Sequence, residues 1–182
     1  MKTRILAVAL LALLGCKTSP PLPVVCPTSP GDPATFCALN QAPYVVRATV
    51  SAFGTSTRVL DLTGFHDIPF TPASLQIDSL PGTLSRGDLT GRIDILIRGC
   101  IDKDGNTIDG PLQTDAGKAS GYFFIVPADG YAVVIPQGYF RLQGGLLYNS
   151  GLAAQGMAES EVRSQLAQAQ TDPACRAADA GL

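Results

Sequence analysis

The sequence predicts a mainly β protein, built as a small antiparallel barrel with one C-terminal α-helix. Short runs of alternating apolar and polar residues recur over residues 44–148, separated by glycine, proline and aspartate. Two of these separators have the composition of hairpin turns, and residues 158–170 have the periodicity of a helix. We expect closure into a barrel because closure removes the exposed strand edges along which sheets aggregate.

The clearest strands have one apolar and one polar face. In residues 44–51 the even-numbered positions are apolar, and the opposite face carries Arg47, Thr49 and Ser51. In residues 92–98 three isoleucines point to one side. Weaker strands are expected at Arg58–Leu62 and Ser74–Ile77.

Two hairpins are predicted from pairs of strands joined by residues that favour turns. The first pairs residues 122–126 with 131–135 around Pro127-Ala128-Asp129-Gly130, and the second pairs 139–143 with 146–148 around Gly144-Gly145.

One helix is predicted near the C-terminus, over Ala158–Gln170. Apolar residues recur there at helical spacing and form a narrow stripe of Ala158, Val162, Leu166 and Ala169. Glu159 and Glu161 lie in the first turn, where the helix dipole favours anions, and Pro173 ends the pattern. Because the stripe is narrow, we expect the helix to pack on the barrel.

The first 15 residues have the composition of an export signal. Lys2 and Arg4 precede an uninterrupted apolar run of ten residues, Ile5–Leu14, and the small residue Gly15 follows. A helix of that length is shorter than the roughly 30 Å hydrocarbon core of a membrane. We therefore predict a signal peptide over residues 1–15.

Residues Leu13-Leu14-Gly15-Cys16 resemble the lipobox of bacterial lipoproteins. The resemblance implies cleavage before Cys16, a diacylglyceryl thioether on its sulfur, and acylation of its new amino group, for example with palmitate. Two or more acyl chains give stable anchoring. The implied location is the cell envelope, and Lys17 in place of Asp favours the outer membrane if the organism is Gram-negative. The alternative is an ordinary secreted protein cut near this point.

The mature chain divides into a tether, one domain and a tail. Residues 16–43 are rich in proline, which fixes φ and removes backbone donors, so we expect an extended tether. The barrel and its helix are expected at 44–170, and the tail at 171–182.

Four cysteines remain besides the lipidation site: Cys26, Cys37, Cys100 and Cys175. An even number in an exported chain predicts two disulfides, with at least one tying a chain end to the core. Three pairings are possible, and the sequence does not choose among them. Free buried thiols are the competing interpretation. A zinc site is not expected, because no two of these cysteines are close in sequence and the chain has one histidine.

Charge argues against nucleic acid as a partner. Cleavage would remove Lys2 and Arg4, so the mature chain would keep 11 of its 13 basic residues against 15 acidic ones. The basic residues are dispersed and form no cluster that could follow a phosphate backbone. The sequence also has no cofactor-binding motif and no later apolar stretch long enough to span a membrane.

The order of the predicted elements resembles the OB-like barrel of the netrin (NTR/TIMP-like) modules and of related bacterial surface proteins. The resemblance covers about 44–170 and depends on residues 42–50, 91–100, 121–126 and 138–145 and the terminal helix. The cysteine arrangement of the netrin family is not reproduced, and acylation would block an N-terminal cysteine. The resemblance therefore does not imply metalloprotease inhibition.

No catalytic constellation is predicted. The sole histidine, His66, is followed by Asp67, but adjacent residues of an extended chain point to opposite sides, and a loop histidine is the simpler interpretation. Four aspartates lie in the barrel region, and nothing in the sequence pairs two of them: Asp61, Asp67, Asp78 and Asp94.

Metal binding has one weak candidate, a calcium site in residues 102–109. Its oxygen donors are Asp102, Asp104, Asn106 and Asp109. The segment resembles the start of an EF-hand loop, but Thr107 takes the place of glycine and no glutamate stands at the twelfth position. A simple turn is the preferred interpretation.

Together these features predict a membrane-anchored envelope lipoprotein that acts as a non-catalytic binding or structural module. The expected partner, besides the membrane, is an envelope protein or a glycan. Tyrosines near the hairpins are candidate contacts, with a core or strand position as the simpler interpretation for most of them: Tyr122, Tyr131, Tyr139 and Tyr148. The alternative is a carboxylate-dependent hydrolase of the cell envelope, which requires two acids with perturbed pKa values in one pocket.

Overall fold

A computed structural model gives the architecture of the chain and describes residues 35–54, 58–62, 65–99, 119–149 and 151–175. The elements in these ranges are, in chain order, α1 (Phe36–Asn40), β1 (Tyr44–Phe53), β2 (Arg58–Leu62), β3 (Phe65–Ile77), β4 (Arg92–Arg98), β5 (Ser120–Ala128), β6 (Tyr131–Gln143), β7 (Leu146–Asn149), β8 (Ala153–Met157) and α2 (Glu159–Thr171).

Five strands close into a barrel. β1 pairs with β3 and β5, β3 pairs with β4, β5 pairs with β6, and β4 pairs with β6 to complete the ring. The predicted small OB-like barrel is therefore confirmed as a fold class.

One pairing departs from the antiparallel barrel that the sequence predicted. β4 and β6 run parallel, with Leu96 opposite Val133 and Ile97 opposite Val134. A closed ring with an odd number of strands cannot alternate direction all the way around, so at least one neighbouring pair must be parallel. The prediction specified closure without the strand number, and therefore missed this pair.

The barrel interior is filled by apolar side chains from all five strands. Val46, Ala48 and Val50 of β1 lie in this core, as the alternation predicted, and Ile95 and Ile97 of β4 lie there too. Ile93 packs against the same cluster, so the three isoleucines point one way. Burial of each of the valine and isoleucine side chains contributes about 1.5–3 kcal/mol.

A second layer covers one outer side of the barrel, which we call the covered side. Outward-facing residues of β5 and β6 pack there against α1, α2, β7, β8 and part of the β3–β4 connection. Fully buried members of this layer are Leu39, Tyr122, Phe124, Phe140, Leu147 and Val162. A smaller cluster lies between the β2–β3 hairpin and the end of the β5–β6 hairpin, and contains Phe70, Leu96 and Val133.

Both predicted hairpins are confirmed, and their turns explain why the sequence signal was strong. Asp129 and Gly130 have φ of 47° and 82°, and Gly144 and Gly145 have φ of 57° and 80°. Positive φ at both central residues defines a type I′ turn, whose twist matches that of the flanking strands.

The C-terminal helix is confirmed within one residue at each end. It runs over Glu159–Thr171 and ends before Pro173, as predicted. Val162 and Ala169 are buried, and Leu166 packs against the covered side.

The tether prediction fails at its C-terminal end. Residues Phe36–Asn40 form helix α1 instead of an extended segment, and the side chain of Thr35 accepts a hydrogen bond from the backbone N–H of Ala38 at 3.1 Å to cap it. Leu39 is fully buried. A five-residue helix is too short to give a periodic signal, so tertiary packing decides its structure.

Three strands are longer or additional compared with the sequence prediction. β3 begins at Phe65 instead of Ser74, β6 is one continuous element over Tyr131–Gln143, and β8 was not predicted. Proline at 69 and 72 and Pro136-Gln137-Gly138 conceal the continuity of β3 and β6 in the sequence. β8 has the composition Ala-Ala-Gln-Gly-Met, which has low strand propensity.

Candidate binding site on the open sheet face

Part of the outer surface of β1, β3 and β4 forms a polar sheet face that lies outside the apolar clusters of the covered side and of the β2–β3 hairpin. Ladder pairing places Ser74 opposite Asp94 and Gln76 opposite Arg92 across β3 and β4, and Thr49 opposite Gln76 across β1 and β3. Their neighbours along the strands point into the core, so these residues point outward. We call this surface the open face, and it consists of Thr49, Ser51, Ser74, Gln76, Arg92 and Asp94.

A hydrogen-bonded chain links a cation to a carboxylate at the centre of the open face. Arg92 Nη2 donates to Ser74 Oγ at 3.2 Å, and Ser74 Oγ donates to Asp94 Oδ1 at 2.5 Å. Ser74 is 8% exposed, whereas Arg92 and Asp94 are exposed. The serine hydroxyl therefore fixes both charged groups from below while their remaining donors and acceptors face solvent.

The β1 side of the open face adds hydroxyl and amide groups. Thr49 Oγ1 donates to Ser120 Oγ at 3.1 Å, and Ser51 Oγ donates to the Ser74 carbonyl oxygen at 3.1 Å. Gln76 Nε2 lies 3.4 Å from the carbonyl oxygen of Gly91. The surface thus presents closely spaced neutral groups around one balanced pair of charges.

An ion pair borders the open face. Arg47 Nε lies 2.8 Å from Asp78 Oδ2, with the two side chains 41% and 32% exposed. Solvent screening limits such a pair to about 0–1 kcal/mol of stability. Its consequence for the site is that it neutralises charge beside the open face.

The open face carries no large exposed apolar side chain among the described residues. The exposed large apolar side chains in those ranges are Leu80, Tyr131 and Leu146. They lie in the β3–β4 connection, at the β5–β6 turn and at the β6–β7 turn. Chemically, the open face can offer hydrogen bonds and charge, but not an aromatic surface.

The predicted carboxylates lie in different surroundings. Asp94 accepts from Ser74, and Asp78 pairs with Arg47. Asp61, His66 and Asp67 lie in β2 and β3, and their side chains are outside the described part of the chain. The hydrolase alternative stays a prediction.

Two of the four candidate contact tyrosines are core residues, which is the simpler interpretation that the sequence offered for most of them. Tyr122 is fully buried, and Tyr139 is 2% exposed and donates its hydroxyl to the Ser120 carbonyl oxygen at 3.1 Å. Tyr148 is partly buried, with the Arg141 guanidinium 5.6 Å from its ring centroid. Tyr131 is 48% exposed at a hairpin turn and stays available for contact.

One of the two expected disulfides is present, and the structure shows that it pairs Cys37 with Cys175. It joins residues 138 positions apart, with Cα atoms 5.2 Å apart. It links α1 to the segment that follows α2, and so ties both ends of the domain together. The other cysteine predictions, Cys16, Cys26 and Cys100, lie outside the described residues.

The calcium prediction also lies outside the described residues, since it falls on Asp102, Asp104, Asn106 and Asp109. Within the described ranges, no three His, Cys, Asp or Glu side chains are grouped as they would be around a metal ion. In the same ranges no helix has the length and hydropathy needed to cross a membrane.

No family model, no curated protein and no solved structure matches this chain. The candidate site therefore depends on its own geometry. Sequence alternation alone could place Arg92 and Asp94 on the outer side of β4, because the isoleucines at 93, 95 and 97 point inward. The missing element was Ser74, whose position beneath both groups depends on the β3–β4 register.

Proposed function

We propose that the protein is a lipid-anchored, non-catalytic binding module of the bacterial cell envelope, and that it binds through the open face. The observation that carries this proposal is the contrast between the outer sides of the barrel. One is packed under two helices and two strands, and the other presents an ordered polar surface to solvent. OB-like barrels often use a sheet face for binding.

Two features support the envelope location. The N-terminal sequence resembles an export signal with a lipobox ending at Cys16. The Cys37–Cys175 disulfide is typical of proteins that fold outside the reducing cytoplasm. In this proposal the acyl chains on Cys16 hold the protein in the membrane, and residues 17–34 connect it to the folded domain.

Of the two predicted partner classes, the chemistry of the open face favours a glycan. Stable protein interfaces have a core enriched in aromatic and other large apolar residues. The open face instead presents hydroxyl, amide, carboxylate and guanidinium groups, which match the closely spaced hydroxyls of a sugar chain. Its charges are balanced, which favours a neutral or weakly charged glycan.

Metabolic labelling with a palmitate analogue tests the anchor. We expect the native protein to incorporate the label, Cys16→Ser to lose it, and the matched control Cys26→Ser to retain it. Incorporation by Cys16→Ser, or no incorporation by the native protein in a lipoprotein-forming host, contradicts the anchor.

Site-specific photo-crosslinking in intact cells tests the binding face. A benzoylphenylalanine at position 76 of the open face should form an adduct, and the same residue at position 163, which is exposed on α2, should not. Glycosidase treatment should lower the apparent molecular mass of this adduct.

The outcomes separate the parts of the proposal. A position-76 adduct that resists glycosidase and is removed by protease supports the open face as the binding site. It contradicts the proposal that the partner is a glycan. An adduct at position 163 without one at position 76 would place the binding site on the covered side instead of the open face. No adduct at either position, while a known envelope complex is captured in the same cells, overturns the binding module.

A further inference from the structure

Tyr122 buries a hydroxyl group without a hydrogen-bond partner among the described residues. The residue is fully buried on the covered side, and its Oη atom has no protein partner in the described part of the chain. A Cβ atom at Gly82 would overlap this hydroxyl, so the hydroxyl lies directly against the Gly82 backbone. A buried hydroxyl that gave up water without gaining a partner would be destabilising.

A second buried tyrosine shows how the same group is normally satisfied in this barrel. Tyr139 is 2% exposed, and its hydroxyl donates to the Ser120 carbonyl oxygen at 3.1 Å. Tyr122 and Tyr139 therefore differ in their hydrogen bonding, although both are buried.

The turn against Tyr122 contains two more buried polar atoms without partners among the described residues. The Ser85 backbone N–H donates to the Gly82 carbonyl oxygen at 3.0 Å, so Ser85 belongs to the same turn as Gly82. The unpaired atoms are Ser85 Oγ and, on the next residue, Arg86 Nε. Three buried polar atoms, two on this turn and one on the strand β5 that packs against it, therefore lack hydrogen-bond partners among the described residues.

The rest of the Arg86 guanidinium is well occupied. Its Nη2 donates to the carbonyl oxygens of Leu39 and Asn40 at 3.0 and 2.9 Å, at the C-terminal end of α1. Burial lowers the pKa of this guanidinium. Oxygen acceptors already face the guanidinium charge through Nη2, whereas the Nε donor has no acceptor within the described part of the chain.

We propose that an ordered water molecule binds between the Tyr122 hydroxyl, the Ser85 hydroxyl and Arg86 Nε. The water accepts from Arg86 Nε and exchanges hydrogen bonds with the two hydroxyls, which can each donate or accept. Buried waters characteristically make about three such bonds to polar groups that lack protein partners. Water fits better than an anion because oxygen acceptors already surround the arginine charge.

The water site has a structural consequence for the β3–β4 connection. Arg86 pairs with Val45 at the start of β1 through both backbone hydrogen bonds, at 2.9 and 3.0 Å, and holds the end of α1. The water adds a link from the same connection to β5. The water therefore helps to attach the β3–β4 connection, which borders the open face, to the covered side.

High-resolution crystal structures of the mature protein and of two matched variants test the site. We expect a density peak within about 3.2 Å of all three atoms in the native protein. The peak should vanish in Tyr122→Phe and remain in Tyr139→Phe, which removes a hydroxyl that already has a protein partner. Urea unfolding should show a lower midpoint for Tyr122→Phe, because the water loses one of its partners.

Other results overturn the proposal. These are a native structure without density at the site, a halide identified there by anomalous scattering after bromide exchange, or a Tyr122→Phe protein as stable as the native one with the peak unchanged. If Tyr122→Phe does not fold, the crystal structure of Ser85→Ala tests the water site instead. This variant removes one hydrogen-bond partner of the water without changing the core. The expected result is a lost or weakened peak, and an unchanged peak contradicts the site.

Discussion

The covered side and the open face belong to one barrel but differ in almost every physical property. The covered side buries Phe124, Phe140 and Leu147 under α1, α2 and two strands, and a disulfide ties its two helical segments together. The open face carries hydrogen bonds among polar side chains, in which the buried Ser74 links the exposed Arg92 and Asp94. Stability therefore comes mainly from the barrel core and the covered side.

This difference indicates where sequence is constrained by folding and where it is not. A buried residue must match the volume and shape of its neighbours, since interiors are close-packed. The exposed residues of the open face, Gln76, Arg92 and Asp94, must only tolerate an extended backbone and water. The ordered Arg92–Ser74–Asp94 chain is therefore not required for packing, which supports a role in recognition.

The largest expected effect is on the covered side, from Phe140→Ala. Phe140 is fully buried, with its ring centroid 5.7 Å from that of Phe124. Truncation leaves a cavity and loses apolar burial, so we expect the free energy of unfolding to fall by about 3–5 kcal/mol. Urea denaturation followed by circular dichroism measures this loss.

The control for this substitution is Leu80→Ala, at a leucine that is 79% exposed. It should change the free energy of unfolding by less than about 0.5 kcal/mol. Equal losses in the two variants would show that the covered side contributes no more than an exposed loop, and the comparison would fail.

The second-largest expected effect comes from removing the Cys37–Cys175 disulfide. In Cys37→Ala/Cys175→Ala we expect a loss of about 2–5 kcal/mol in the free energy of unfolding, because the unfolded chain is no longer constrained by a long closed loop. The measurement is urea denaturation of the native and double-variant proteins without reductant.

Repeating this measurement with reductant gives the control. The native protein should lose stability, and the double variant should lose less. A double variant as stable as the native protein would show that packing alone holds α1 and α2. A large further loss on reduction of the variant would point to another disulfide in the chain.

The sequence predicted those parts of the fold that local patterns determine. The two type I′ turns need positive φ, which Asp129-Gly130 and Gly144-Gly145 provide at low cost. The alternation in β1 and β4 and the stripe of α2 depend only on which side faces the core. The bounds of β1, β4 and α2 were therefore predicted to within two residues.

The parts of the fold that the sequence did not predict depend on contacts between residues that are far apart in the chain. Helix α1 exists because Leu39 is buried, Arg86 holds its C-terminal carbonyls and Cys37 is bonded to Cys175. The parallel β4–β6 pair follows from ring closure, and the position of Ser74 beneath Arg92 and Asp94 follows from register. No local pattern contains that information, so the candidate site could be predicted only in part.

The smallest expected effect is at the open face, from Asp94→Asn. The asparagine keeps an oxygen that can accept from Ser74, and the site is exposed, so the free energy of unfolding should change by less than about 0.5 kcal/mol. Urea denaturation measures this, and Arg163→Gln on the exposed surface of α2 is the matched charge-removal control. A loss above about 1.5 kcal/mol would mean that the Arg92–Ser74–Asp94 chain stabilises the fold, since only buried or networked charges reach that magnitude. The open face would then be a structural surface like the covered side, and its polar order would no longer support a binding role.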